Sequence, residues 1–185
     1  MTANPAGQPV KSAMKRLKSN RGFTLIELMI AITIAGILLV IAIPSFQYSI
    51  LDNRVKTPAS DLHVNFLLAR SEAIKLNRDV NITWKTSGWD ITYVKAGTTT
   101  TETIRSYEDV SPDVTTLCDT NGDNTADACP ASITINRNGR LANAPFSRWF
   151  YTAKSTKVRM RCVSIGLSGM PQVEVDSDNN TGNGC

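Results

Sequence analysis

Residues 23–43, FTLIELMIAITIAGILLVIAI, form a run of 21 residues that contains one charge, Glu27. At 1.5 Å per residue such a helix spans about 31 Å, close to the thickness of a bilayer's hydrocarbon core. Length and composition therefore predict a membrane helix. A cleaved secretory signal would need a shorter apolar stretch followed by small residues, and Pro44-Ser45-Phe46 matches that poorly.

The charge along the chain orients this segment. The 185 residues carry 20 Lys and Arg against 16 Asp and Glu. Lys11, Lys15, Arg16, Lys18 and Arg21 all precede Phe23, and no acid does. Without those five the balance is 15 basic to 16 acidic residues, so the basic character belongs to the leader. Positive charge retained inside places everything after Ile43 on the oxidising side of the membrane.

Apolar periodicity continues past the membrane edge. Leu51, Val55, Pro58, Leu62, Phe66, Ala69, Ala73 and Leu76 recur at intervals of three or four, which is one stripe of a helix. Asp52, Arg54, Lys56, Asp61, Asn65, Arg70, Glu72 and Lys75 mostly occupy the other sides, and Asn77-Arg78-Asp79 is a polar stop. One helix is thus expected from Phe23 to about Asn77, bent or weakened at Pro44 and Pro58.

Beyond Asp79 the pattern becomes that of strands. Val80 to Lys85 and Trp89 to Val94, around Thr86-Ser87-Gly88, predict a hairpin. Further strands are expected near residues 103–110, 132–136, 157–165 and 172–175, with turns at Asn138-Gly139 and Ser168-Gly169. The fold class is therefore α+β, a long N-terminal helix packed on an antiparallel β head. Four cysteines beyond the membrane segment allow three disulfide connectivities. The pairing expected is Cys118 with Cys129, closing a polar Asn/Gly-rich loop, and Cys162 with Cys185, pinning a tail that lacks hydrophobic residues.

The stretch Arg21-Gly22-Phe23-Thr24-Leu25-Ile26-Glu27 resembles the signal of type IV pilins and pseudopilins. A carboxylate five residues into an apolar span is costly and rarely incidental. The resemblance implies cleavage between Gly22 and Phe23 by a prepilin peptidase, N-methylation of the new Phe23 amine, and an assembly role for Glu27. The new amine would neutralise the Glu27 carboxylate of a neighbouring subunit. Ala69-Arg70-Ser71-Glu72-Ala73, the strand ending in Asn138-Gly139-Arg140, and Cys162-Val163-Ser164-Ile165 with its following turn resemble motifs of the GspH/FimT family of minor pseudopilins and minor pilins.

That family implies a cytoplasmic leader over residues 1–22, a transmembrane helix over 23–43, its amphipathic continuation over 44–78, and a periplasmic head over 79–185. It implies a bacterial inner-membrane protein with a single pass, resting in lipid until it joins other pilins or pseudopilins in a pilus or pseudopilus. The leader is longer than usual for the family, which makes Met14 an alternative start.

Three other features bear on function. Residues 119–127 place oxygen side chains at positions 1, 3, 5 and 9 of a calcium-loop template. Asn124 occupies its glycine position and Pro130 its bidentate glutamate position, so a polar turn closed by Cys118 and Cys129 is expected, with no metal or other cofactor. Arg137, Arg140, Arg148, Lys154, Lys157, Arg159 and Arg161 form a basic block in which Lys157, Arg159 and Arg161 alternate as on one strand face. That face is a candidate DNA contact for uptake, although the Gly-Arg-x-Arg tail of DNA-uptake relatives is missing; a solvated face or a subunit contact is the favoured use. Catalysis has little support: His63 is the one histidine, and no G-x-S-x-G, H-E-x-x-H or phosphate loop is present.

Overall fold

Helix α1 runs Leu25–Leu76 without a break at Pro44 or Pro58 in a computed structural model, which describes residues 22–108, 110–123, 125–142, 146–155, 157–178 and 185. Residues 1–21, which hold the leader and Met14, lie outside the described residues. Two compact units divide the chain, Met1–Ile41 and Ala42–Cys185.

In the first unit the helix is long and apolar enough to cross a membrane, and its side chains are bare: Leu25 is 78% exposed and Val40 73%. A soluble helix would not leave such a surface in water. In the second unit the stripe is buried at Val55, Pro58, Leu62, Phe66, Ala69 and Ala73. Asn65, read from the sequence as part of the polar side, is buried as well, because it adjoins Phe66 on the face covered by the head. The helix stops as a Schellman motif. Asn77 takes φ 53°, its N–H bonds the Ile74 carbonyl at 3.2 Å, and the Arg78 N–H bonds the Ala73 carbonyl at 3.1 Å. Asparagine tolerates this left-handed position better than most residues.

Eight strands follow: β1 Val80–Lys85, β2 Gly88–Val94, β3 Thr101–Tyr107, β4 Val114–Asp119, β5 Ser132–Ile135, β6 Phe146–Ala153, β7 Arg161–Gly166 and β8 Pro171–Val175. They form two four-stranded antiparallel sheets, ordered β3-β2-β1-β5 and β4-β6-β7-β8. The expected hairpin β1–β2 forms, with Val80 opposite Tyr93; Gly88, read as part of the turn, instead opens β2 and pairs with Lys85, so that the turn is Thr86-Ser87. The helix stripe and both sheets share one core. Its centre is Trp149 of β6, stacked on Trp84 of β1 at 4.8 Å and tilted against Phe66 of α1 at 5.2 Å.

Two strands were not expected from the sequence. Strand β4 is short and polar, and its end overlaps the calcium-like loop. Strand β6 is covered on both faces: Trp149 and Tyr151 enter the main core, while Phe150 packs with Met160 and Cys162 on the other side. Its three consecutive aromatics therefore lack the alternation of a half-exposed strand.

The disulfides join Cys118 to Cys129 and Cys162 to Cys185. The second brings Cys185 against the Phe150 cluster, so the chain's last residue covers apolar surface on the outer side of the sheet. Peptide mapping of the unreduced protein should recover these two local links. Removing the first pair by double Cys→Ser substitution should cost about 3 kcal/mol in a chain-entropy account. A Cys118 to Cys162 link would contradict the arrangement.

Candidate functional site

Gly22, Phe23 and Thr24 precede α1, and Thr24 caps it. The Glu27 N–H donates to Thr24 Oγ1 at 3.2 Å, and the Leu28 N–H bonds the Thr24 carbonyl at 3.2 Å. Thr24-x-x-Glu27 has the spacing of a capping box, a signal the sequence reading passed over. The cap starts the helix two residues after the Gly22–Phe23 bond. Glu27 lies in the first turn, where the helix dipole favours an anion. Its side chain is exposed and has no ion-pair partner among the described residues. A Cβ added at Gly22 would meet nothing within 4 Å. Any demand for glycine there comes from something that handles the chain, not from this fold.

The three motifs of the head meet at one junction. Arg70 Nε, on α1, donates to the Gly139 carbonyl at 3.1 Å, and its guanidinium also touches Met170 Sδ. Gly139 has φ +73°, and a Cβ there would come within 2.8 Å of Ile74. Gly169 has φ +69°, and its Cβ would lie 2.1 Å from the Gly139 carbonyl oxygen. Helix, β5 turn and β7–β8 turn lock together here, and each glycine is required by backbone conformation and close approach together.

The loop after β4 satisfies itself. Asp119 Oδ1 accepts from the N–H groups of Asn121 and Gly122, at 3.1 and 2.6 Å. Asp127 Oδ2 accepts from the N–H and hydroxyl of Thr120, at 3.0 and 2.9 Å. Asp123 Oδ1 accepts from the hydroxyl and N–H of Thr125, at 2.6 and 2.8 Å, and these bonds hold its carboxyl below the usual range. The acids cap local amides, and no metal-ligating cluster occurs among the described residues. Asn124 lies outside the described residues. Elsewhere in the head, burial pushes the Tyr151 phenol well above its usual value, so it stays neutral.

The strand read over Lys157, Arg159 and Arg161 requires correction, although these residues do alternate with buried Val158 and Met160. Strand β7 begins at Arg161, whereas Lys157, in a turn, and Arg159 precede it. Val158 and Met160 are buried and tether that turn to the head. Arg161 Nη2 pairs with Asp52 on α1 at 3.4 Å, and Lys157 Nζ stands over the Tyr48 ring at 4.6 Å. Arg137, by contrast, follows β5, and its N–H donates to Asp79 at 3.2 Å, just past the other end of the helix. The rise from Tyr48 to Leu76 is about 42 Å, so the basic block is dispersed and does not form one surface.

Comparisons with known proteins agree with this architecture. The profile of the prokaryotic N-terminal methylation motif matches residues 17–43, and that of the type II transport protein GspH matches residues 59–169. The chain belongs to the GspH family. Among solved structures, the type IV minor pilin FimU of Pseudomonas aeruginosa is similar over 69% of this chain and 96% of its own, with TM-score 0.54 and 19% identity. The minor pseudopilin EpsH from the Type 2 Secretion System of Vibrio cholerae is similar over 66% and 97%, with TM-score 0.50 and 12% identity. Both carry the same pilin-like fold of a long helix on antiparallel sheets.

Proposed function

We propose that this GspH-family chain is a low-abundance subunit that primes or tips a filament of the type IV pilus or type II secretion kind. The observation that carries the reading is the methylation motif at the start of a bare, membrane-length helix whose second half is built into a β head. Residues 1–22 act as a cytoplasmic leader, 23–43 span the inner membrane, 44–78 continue the helix, and 79–185 form the periplasmic head. A prepilin peptidase cuts between Gly22 and Phe23, and the Phe23 amine is methylated. Inner-membrane lipid holds the mature chain until its helix enters a bundle of other pilin helices, where Glu27 meets an amine.

Gly22→Phe tests the reading. The folded chain has open space at this position, so loss of cleavage reports on the peptidase and not on misfolding. The full precursor should accumulate in the membrane, with no mature Phe23 terminus detected and no copies in sheared filaments. Normal processing of the variant would overturn the assignment, and wild-type chain recovered in equal amount to the principal subunit would overturn the minor role.

A further inference from the structure

Tyr48 lies five residues beyond Ile43, about 7.5 Å along the helix axis. A bilayer's hydrocarbon core is about 30 Å thick within a total of about 40–45 Å, which leaves a headgroup layer of roughly 5–7.5 Å on each side. When residues 23–43 span the membrane, the reading on which this inference rests, Tyr48 stands at the outer edge of the headgroup layer. Tyr48 is an amphipathic aromatic residue of the kind such an interface favours, and Phe46 beside it is 69% exposed.

Lys157 is held over that ring, and one turn further along α1 Asp52 holds Arg161. These two contacts bring the connection between β6 and β7 alongside the helix. Lys154, Lys157 and Arg159 are exposed there, while buried Val158 and Met160 anchor it. None of the three cations has a carboxylate partner among the described residues. Of the neighbouring acids, Asp52 is engaged by Arg161 and Asp113 by Arg54, while Asp176, whose N–H bonds the Met160 carbonyl, is buried beneath the segment.

We propose that Lys154, Lys157 and Arg159, with Phe46 and Tyr48, form a docking surface for the anionic phospholipid headgroups of the leaflet that the head faces. Basic residues beside a membrane-spanning helix gain from the negative potential of such lipids, and the gain vanishes within a Debye length. The surface orients the head of the membrane-resident subunit and is released when the helix leaves lipid for the filament. A duplex nucleic acid is the poorer occupant, because Arg161 is neutralised and Arg137 lies near the opposite end of the helix.

The test uses the full chain in nanodiscs of phosphatidylcholine alone or mixed with phosphatidylglycerol. A water-soluble amine acylating reagent is applied briefly, and labelling of Lys157 relative to Lys95 is read by mass spectrometry. Labelling of Lys157 should be about fivefold slower in the anionic discs, and raised salt or Arg159→Gln should restore it. An equal ratio in both lipids would overturn the proposal. Protection by added duplex DNA in phosphatidylcholine discs, without protection by phosphatidylglycerol, would also overturn it and assign the surface to nucleic acid. Failure of the chain to co-elute with either disc would overturn the membrane-spanning reading itself, an outcome distinct from unprotected Lys157 on a disc-bound chain.

Discussion

Replacing Glu27 by valine should leave the chain inserted and processed, yet lower its recovery in sheared filaments at least tenfold. Glu27 stands exposed in the first turn of α1 without an ion-pair partner among the described residues. Within a bundle of apolar helices an unpaired carboxylate is strongly unfavourable, and a pair with a methylated amine relieves it. At an effective dielectric constant of about 20, two unit charges 4 Å apart attract by about 4 kcal/mol. Each 1.4 kcal/mol is roughly a factor of ten in an equilibrium, so a tenfold loss asks only a third of that interaction to survive desolvation. Immunoblots of membrane and sheared fractions check it. Valine removes both the charge and its desolvation cost, so normal incorporation of the variant would show that the pairing does not direct assembly.

Trp149→Ala should destabilise the head by about 3–5 kcal/mol, a large share of the 5–15 kcal/mol typical of a domain. Trp149 is fully buried and touches Trp84 of one sheet and Phe66 of the helix while belonging to the other sheet. No other described aromatic residue has ring contacts with both. Its removal leaves a cavity where three elements meet, and each is held by the others. Trp149→Phe should be much milder, because the buried indole N–H has no hydrogen-bond partner among the described residues and its loss offsets some of the lost contact. Urea unfolding of the full chain in detergent, followed by tyrosine and remaining tryptophan fluorescence, separates the two variants. An alanine variant within 1 kcal/mol of wild type would remove Trp149 from the centre of the core.

The candidate site was legible wherever its signal was local. Phe23, Glu27 and the apolar run sit on one continuous segment, and so does the stripe from Val55 to Ala73. Thr24 was legible too, since its capping spacing to Glu27 is visible in the sequence, but the prominence of Glu27 in the processing signal obscured it. The basic residues were a different matter. Lys157, Arg159 and Arg161 alternate with buried Val158 and Met160, but β7 starts only at Arg161, and Asp52 takes that residue. An ion pair across 109 residues leaves no periodic trace in either segment.

The sequence by itself determined the long helix, its division into an exposed apolar part and a head-facing part, the hairpin after it and the methylation motif. Each depends on spacings of a few residues or on the cost of burying charge in apolar surroundings. Tertiary structure alone decided which strands share a sheet, that β6 is covered on both faces, and that Arg70, Gly139 and Gly169 form one junction. It also dispersed the basic block along about 40 Å of helix. The physical reason is that strand pairing and close backbone approach join segments 30 to 100 residues apart. Their energies appear only after the chain has closed those loops.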